Sequence, residues 1–371
     1  MANDIMKKLL DQGVSVWLDS LSREMLQSGS LKAQIEQGLR GQTSNPTIFQ
    51  GAFSKGTAYN DEIQKGAKAG KSAEEICWEI MVEDVQAACD AFLPVYEASK
   101  GTDGFVSLEL DPTKARDTNG SLEQGRKLWP LVNRPNLMIK VPATKEGLPV
   151  IRGLLADGCN INVTLLFAVE RYEEVMEIHM QALEERVQKG EAIDKIASVA
   201  SFFVSRVDTE AEKRFEKLAD PSVAKPLLGK VAVANARAAY AAFIEKTSSL
   251  RWKALAEKGA QVQRPLWAST GVKNKNYPDT LYVDTLIGPH CVNTMPGDTL
   301  KAIEAHGATA QSLGAAELAD AQIVLKELAK VGVDLKDITL NTLEVEAVQK
   351  FVDSYHDLIK TVEQNMTQKV G

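Results

Sequence analysis

Eight short β-rich runs alternate with longer amphipathic segments, and this alternation constrains the fold more than any other feature of the sequence. The runs are Val14 to Asp19, Arg40 to Ser44, Gly104 to Leu110, Asn136 to Pro142, Cys159 to Phe167, Ile196 to Ser205, Arg264 to Thr270 and Thr280 to Gly288. Strands that alternate with helices predict parallel β/α units. Eight units in 371 residues favour a closed (β/α)8 TIM barrel over an open doubly wound sheet. No GxGxxG sequence follows a strand and opens a helix, which argues against dinucleotide binding.

Two regions exceed what a minimal barrel needs. Residues 45–103 separate the second and third runs, which is enough chain for several additional helices after strand 2. The chain after Gly288 is predicted to be helical to its end. We interpret residues 1–371 as one barrel domain in which residues 300–371 form a C-terminal helical extension packed on the barrel. No linker, low-complexity tract or short-period repeat indicates a domain boundary.

Composition excludes several classes of function. Hydrophobic residues make up 44% and charged residues 25% of the chain, as in ordinary globular proteins. With 43 Lys and Arg against 50 Asp and Glu, the net charge of -7 argues against broad binding to nucleic acid or anionic lipid. No apolar run approaches the roughly 20 residues of a membrane span, and the N-terminus lacks the apolar core of a signal peptide. The four cysteines form no CxxC pair. We therefore expect a cytoplasmic protein that binds neither nucleic acid nor membranes.

Polar residues recur at or near the C-terminal ends of four predicted strands. Side chains alternate across a strand, so the apolar residues that face the helices fix the direction of their neighbours. This parity turns Asp19, Glu109, Lys140 and Thr164 toward the inside of the barrel, and Asn162 with them. Active sites of these barrels lie at the C-terminal ends of the strands. The recurrence therefore predicts a functional site at that end.

Each of these residues also has a structural interpretation. Lys140 could extend to solvent or form a buried ion pair with Glu109 or Asp19. Asp19 precedes a predicted helix and could cap it. Asn45 precedes a proline, where a turn role is the default. Asn162 begins a match to the glycosylation sequon, but its place in a buried strand makes the match accidental. These separate roles do not predict that the residues converge on one end of the barrel.

The constellation suits Schiff-base chemistry. A lysine in an apolar cavity becomes a nucleophilic amine that can form an imine with a ketone, and the protonated imine allows an adjacent C–C bond to break. Lys140 is the candidate nucleophile, and Asp19 is the candidate base for the departing carbinol. Glu109 and Thr164 could transfer protons through an ordered water while the imine forms. The chemistry needs no metal or cofactor. The four histidines show no HExxH spacing that would indicate a metal site.

Substrate-binding candidates surround this centre. Asn45 and Asn162 could hold substrate hydroxyl groups. Loops after the later strands of such barrels commonly hold a phosphate. Candidates for that end of the site are Ser201, Arg206, Ser269 and Lys273. Because Arg206 so closely follows an apolar strand, we expect it to have an anionic partner. Lys275, in the same loop as Lys273, fits a solvated loop lysine better.

Eight segments carry a resemblance to a known family. In order along the chain they read VWLDSLSR, TSNPTIFQ, GFVSLELDP, MIKVPAT, NINVTLLF, ASFFVSRVD, LWASTGVKN and YVDTLIGPHCVNTMP. The chain resembles the transaldolases of the longer bacterial type, in the class I Schiff-base aldolase superfamily. The resemblance implies Lys140 as the Schiff-base lysine, Asp19 as the acid/base for C–C cleavage, and Glu109 with Thr164 holding the catalytic water.

The resemblance also assigns the substrate contacts. It implies that Asn45 and Asn162 contact the substrate, and that Ser201, Ser269 and Arg206 line the phosphate end. Where shorter transaldolases carry SFRN after the seventh strand, this chain has STGVKN, so Lys273 replaces an arginine after a two-residue insertion.

The implied reaction belongs to the non-oxidative pentose phosphate pathway. It reversibly moves a dihydroxyacetone unit from sedoheptulose 7-phosphate to glyceraldehyde 3-phosphate, giving erythrose 4-phosphate and fructose 6-phosphate. The partners would be small sugar phosphates, and the chain would act as a monomer or homodimer. Two alternatives stay open: a fructose 6-phosphate aldolase that releases free dihydroxyacetone, and a barrel that binds sugar phosphates without catalysis.

Overall fold

Eight parallel strands close into a barrel in the computed structural model, which describes residues 3–367. The strands are β1 (Val14–Asp19), β2 (Gly41–Thr43), β3 (Val106–Glu109), β4 (Leu137–Pro142), β5 (Ile161–Leu166), β6 (Ser198–Phe203), β7 (Gln263–Ala268) and β8 (Cys291–Met295). Each strand pairs with the next in the sequence, and β8 pairs with β1. The predicted (β/α)8 fold is confirmed.

Sixteen α-helices occur in the described part of the chain. They are α1 (Asp4–Asp11), α2 (Arg23–Gln27), α3 (Ser30–Gln37), α4 (Pro46–Ser54), α5 (Asn60–Lys68), α6 (Ala73–Ala98), α7 (Thr118–Val132), α8 (Gly147–Ala156), α9 (Val169–Gln188), α10 (Ser205–Phe215), α11 (Val231–Ser248), α12 (Leu250–Ala256), α13 (Leu281–Asp284), α14 (Gly297–His306), α15 (Ala315–Lys330) and α16 (Glu344–Thr367). The helices predicted after strand 2 are α4, α5 and α6. A π-helical turn, Asp337–Leu343, leads into α16.

The eighth strand lies later than the sequence predicted. The run Thr280 to Gly288 is not a strand, because it contains the short helix α13. The strand is Cys291–Met295, within the segment that was expected to be helical. The composition of the two segments explains both errors. Three apolar residues in the single turn of α13 resemble a buried strand, whereas β8 carries the polar residues Asn293 and Thr294 and does not resemble one.

The N-terminal end of the barrel is closed by a buried polar cluster around Asp103. Ser15 and Trp17 on β1 donate hydrogen bonds to its carboxylate, the indole at 2.9 Å. Arg264 on β7 lies 3.9 Å from Asp103 and donates to the Ser15 hydroxyl at 2.7 Å and to the Cys291 carbonyl at 2.9 Å. These contacts leave the C-terminal end of the barrel as the open one.

The last helix crosses toward that open end. α16 packs against α4, α5 and α6. The Ser354 hydroxyl lies 2.8 Å from that of Thr47 at the start of α4, and Trp78 of α6 donates to the Tyr355 hydroxyl at 3.0 Å. The division of the chain into a barrel and an extension over residues 300–371 stays a prediction.

No single helix between residues 3 and 367 has the length and apolar character of a membrane span. One bent pair, Pro221–Leu227 with Val231–Ser248, meets the criteria of length and composition.

Candidate active site

A cavity of about 490 Å³ opens at the C-terminal end of the barrel. Most of the predicted site residues line it: Asp19, Asn45, Lys140, Thr164, Ser201, Arg206, Ser269 and Lys273. Glu109 and Asn162 lie outside the lining, where they contact Lys140 and Ser201 respectively. The structure therefore brings residues from seven strands and the loops that follow them into one site.

Lys140 occupies the centre of the site near the end of β4, and it is only 4% exposed. Its Nζ donates a hydrogen bond to the Ser44 carbonyl at 3.1 Å and lies 3.0 Å from Glu109 Oε2. The strand register sets this pair, because Glu109 on β3 lies directly opposite Lys140. The buried ion pair considered from the sequence is thus present. Lys140 also lines the cavity, so its amine can reach a bound ligand.

Glu109 is placed to hold and release a proton. Burial raises the pKa of its carboxyl above the ordinary value, the nearby Lys140 ammonium opposes that rise, and the Asp19 carboxylate adds to it. A raised pKa means that the carboxyl takes up a proton at a higher pH than a solvated glutamate would. A group of this kind can deliver a proton to a leaving hydroxyl beside the amine.

Asp19 ends β1 at the cavity wall. Its Oδ1 accepts a hydrogen bond from the Thr43 hydroxyl at 2.6 Å, and that hydroxyl lies 2.7 Å from the Thr294 hydroxyl on β8. The capping role considered for Asp19 belongs instead to Ser22, whose hydroxyl accepts from the Met25 amide at 3.2 Å. The second carboxylate oxygen is therefore available to a ligand in the cavity.

Thr164 presents an unused hydroxyl to the same cavity. Its Oγ1 is buried and has no hydrogen-bond partner in residues 3–367. Leu165, the next residue, adopts a φ of 58°, and the pairing of β5 with β6 shifts between Val163 and Leu166. Such a bulge at the rim of a barrel redirects side chains near a site. Because buried hydroxyl groups nearly always have partners, we expect a water or substrate group at Thr164.

The two asparagines differ in what their side chains can still bind. Asn45 caps α4, since its Oδ1 accepts from the Ile48 amide at 3.0 Å, and the residue also lines the cavity. Asn162 is fully buried, donates to the Ser107 hydroxyl at 2.9 Å and accepts from the Ser201 hydroxyl at 2.7 Å. Asn45 is therefore the better placed of the two for direct substrate contact, and Asn162 is placed to orient Ser201.

Unpaired cations gather at one side of the cavity. Arg206, in the first turn of α10, stacks over the Phe203 ring at 5.4 Å and forms no ion pair with any described residue. Burial lowers the pKa of Arg206, with Asp19 and Glu346 opposing that effect. The anionic partner expected for Arg206 is thus not a side chain of the described protein, and the cavity is where one can bind.

Ser269 and Lys273 extend this side of the cavity. Ser269 follows β7 in the left-handed region, at a φ of 55°, and its hydroxyl lies 3.0 Å from that of Ser205. Lys273 is exposed along much of its length, yet desolvation near its ammonium lowers its pKa, as do Arg206 and Lys350. Lys275 is exposed and does not line the cavity, as expected of a solvated lysine.

Sequence reasoning missed the contribution of α16. Lys350 and Phe351 line the cavity, and the Phe351 ring lies 5.9 Å from Lys140 Nζ. No motif marks them, because their place depends on how α16 docks on α4 and α6.

Among residues 3–367, no group of three or more His, Cys, Asp or Glu side chains is arranged to hold a metal ion.

The C-terminal end of the barrel thus combines a buried lysine amine, a buried carboxyl whose pKa is raised by burial, and unpaired cations across the cavity. The chain belongs to the transaldolase/fructose-6-phosphate aldolase family, whose sequence model matches residues 16–362. The family predicted from the sequence is thereby confirmed.

Similar proteins that match nearly the whole chain are named transaldolases. The chain is 50% identical over 362 residues to a transaldolase of Thermobifida fusca (strain YX), covering 97% of this chain and 98% of that protein. It is 48% identical over 348 residues to a transaldolase of Mycolicibacterium smegmatis, covering 94% and 93%. It is 47% identical over 350 residues to a transaldolase of Mycobacterium tuberculosis, again covering 94% and 93%.

Proposed function

We propose that this protein is a transaldolase. It reversibly transfers a dihydroxyacetone unit from sedoheptulose 7-phosphate to glyceraldehyde 3-phosphate, in the non-oxidative pentose phosphate pathway. The observation that carries the proposal is the 3.0 Å approach of the buried Lys140 amine to Glu109, at the edge of a cavity that unpaired cations line. The names of the relatives, which match over nearly the whole chain, support the same activity.

Imine formation is the first step. The Lys140 amine attacks the C2 carbonyl of the ketose, and the resulting carbinolamine must lose its hydroxyl as water. Glu109 passes a proton to that hydroxyl, because it lies 3.0 Å from the Lys140 amine and burial raises the pKa of its carboxyl, which favours uptake and transfer of a proton. Thr164 holds the water through its otherwise unpartnered hydroxyl. The product is a protonated imine on Lys140.

Carbon–carbon cleavage follows. Asp19 accepts the proton of the C4 hydroxyl, the C3–C4 bond breaks, and its electron pair moves into the imine to give an enamine. The aldehyde product leaves, and the enamine attacks the carbonyl carbon of the acceptor aldehyde by the same steps in reverse. The hydrogen bond from Thr43 holds Asp19 in place for both directions.

Transfer requires the enamine to survive until an acceptor binds. Phe351, Phe203 and Ile48 give the cavity apolar walls, and the Phe351 ring lies close to the reacting nitrogen. Apolar walls reduce the access of water, which would otherwise protonate the enamine and release dihydroxyacetone. This favours a transferase over a fructose 6-phosphate aldolase, the second activity in the family description.

The remaining properties follow the same proposal. The substrates are small sugar phosphates, and the described chemistry uses no metal or cofactor. The net charge of -7 supports an enzyme that does not bind nucleic acid or anionic membranes. We place it in the cytoplasm as a monomer or homodimer.

An acceptor-dependence assay tests the activity. Fructose 6-phosphate is supplied with and without erythrose 4-phosphate, and both sedoheptulose 7-phosphate and free dihydroxyacetone are measured. We expect turnover that requires the aldehyde, with little free dihydroxyacetone. Substantial release of dihydroxyacetone without an acceptor would identify an aldolase instead.

A further inference from the structure

Lys350 of α16 lies among the cations of the active-site cavity although it comes from the far end of the chain. It lines the cavity together with Arg206 and Lys273. Its charge is close enough to contribute to lowering the Lys273 pKa, after the effects of burial and Arg206. Three cationic side chains from three separate elements, α10, the loop after β7 and α16, therefore surround one part of the cavity.

The position of Lys350 is fixed by its neighbours on α16. Phe351 is 3% exposed and packs into the cavity wall. Four residues beyond Lys350, the Ser354 hydroxyl meets that of Thr47 at 2.8 Å. One residue further, Tyr355 accepts from Trp78 and donates to Glu74 at 2.9 Å. These contacts hold the backbone of α16 over the cavity, while the Lys350 side chain itself stays exposed and able to reach a ligand.

None of the three cations has a carboxylate partner within the described chain. No ion pair joins Arg206, Lys273 or Lys350 to any residue between 3 and 367. Three carboxylates are nearby: Asp19 and Glu346, which act on the charge of Arg206 without pairing with it, and Asp298, which lines the cavity but is fully exposed. Like charges gathered without partners repel one another, and a bound dianion would relieve that repulsion.

We propose that Lys350 is a phosphate ligand that acts with Arg206 and Lys273, so that the last helix of the chain contributes to substrate selection. That this phosphate belongs to a sugar-phosphate substrate rests on the proposed function. Lys350 contacts the phosphate alone and takes no part in the steps at Lys140. It therefore favours phosphorylated over unphosphorylated acceptors.

The test compares Lys350→Gln with Lys360→Gln, a matched substitution of an exposed lysine on the same helix that does not line the cavity. Transfer through a covalent enamine follows ping-pong kinetics, in which kcat/KM for the acceptor reports the acceptor half-reaction alone. It is measured for glyceraldehyde 3-phosphate and for unphosphorylated glyceraldehyde. For Lys350→Gln we expect about a fivefold loss with the phosphorylated acceptor, the size of one exposed ion pair. We expect no change with glyceraldehyde, and none with either acceptor for Lys360→Gln.

Two kinetic results would overturn the proposal. One is an unchanged kcat/KM for glyceraldehyde 3-phosphate in Lys350→Gln. The other is an equal loss with both acceptors, which would assign Lys350 to the fold or the shared site rather than to the phosphate.

A binding measurement separates this proposal from the proposed function. The rise in melting temperature caused by inorganic phosphate is measured for the wild type and both variants, since a ligand that binds the folded state stabilises it. A smaller rise in Lys350→Gln than in Lys360→Gln supports the phosphate role even if the wild type transfers no dihydroxyacetone. Equal rises in all three proteins contradict it.

Discussion

The two ends of the barrel handle buried charge in opposite ways. At the N-terminal end, Asp103 is enclosed by Ser15, Trp17 and Arg264, and every one of these groups has a partner within the protein. At the C-terminal end, Arg206 is desolvated and has no carboxylate partner in residues 3–367. The buried Thr164 hydroxyl has no hydrogen-bond partner in the same residues. A satisfied cluster contributes to folding, whereas an unsatisfied one is available to a ligand. We therefore expect substitutions at the N-terminal end of the barrel to change stability, and substitutions at the C-terminal end to change activity.

The largest effect should come from removing the amine at the C-terminal end. Lys140→Met keeps an unbranched side chain in the same space but cannot form an imine. We expect kcat for transfer to fall by roughly 10⁴-fold or more, as for other covalent nucleophiles. The control is Lys145→Met in the following exposed loop, which should retain wild-type kcat. Residual transfer above about 1% in Lys140→Met would place the nucleophile elsewhere.

The next effect separates cleavage from imine formation. Asp19→Asn keeps the hydrogen bond from Thr43 but cannot take up the C4 hydroxyl proton. We expect kcat to fall by roughly 10²- to 10⁴-fold, the range for loss of a general base. The imine should still form, so rapid-quench borohydride treatment with fructose 6-phosphate should still label the variant. Loss of both transfer and labelling would contradict the assignment of Asp19 to cleavage.

At the N-terminal end the same kind of substitution should act on folding instead. Asp103→Asn leaves Arg264 without its buried counter-charge, and we expect the free energy of unfolding to fall by about 3 kcal/mol. Urea denaturation measures this, while kcat of the folded enzyme should stay near the wild-type value. Asp90→Asn breaks the exposed pair with Arg134 and should cost less than about 1 kcal/mol. Equal costs for the two variants would show that the Asp103 cluster adds little to folding.

The smallest effect is expected at the side of the cavity where Arg206 and Lys273 lie. Arg206→Gln removes a charge that has no partner in the described chain, so the free energy of unfolding should stay the same or rise slightly. The KM for fructose 6-phosphate should rise by roughly 10- to 100-fold, through loss of one charge-assisted contact. Lys217→Gln, an exposed residue just after α10, is the control and should leave KM unchanged. A marked loss of stability in Arg206→Gln would assign Arg206 to the fold and remove the contrast between the ends.

The barrel could be predicted because seven of its strands overlap the short runs that alternate with amphipathic segments, although β2, Gly41–Thr43, is itself polar. Parity then placed Asp19, Lys140 and Thr164 correctly on the cavity wall. β8 escaped because Asn293 and Thr294 give a barrel strand a polar sequence, while the apolar turn of α13 looked like a strand. Periodicity reports the burial of side chains, and burial alone does not separate a short helix from a strand.

Other features of the site depend on contacts between distant parts of the chain. The positions of Lys350 and Phe351 follow from pairs such as Thr47 with Ser354, which are far apart in sequence. The left-handed backbone at Leu165 follows from the local pairing of β5 with β6 and leaves no compositional signal. The sequence therefore predicted the residues at the strand ends and missed what the last helix adds to them.

Borohydride trapping reports directly whether Lys140 forms the covalent intermediate. The wild-type protein is incubated with fructose 6-phosphate, reduced, digested and mapped by mass spectrometry. We expect one dihydroxyacetone-derived adduct, on the peptide that contains Lys140, and none in Lys140→Met. An adduct on another lysine, or no adduct in a sample that catalyses transfer, would contradict that expectation.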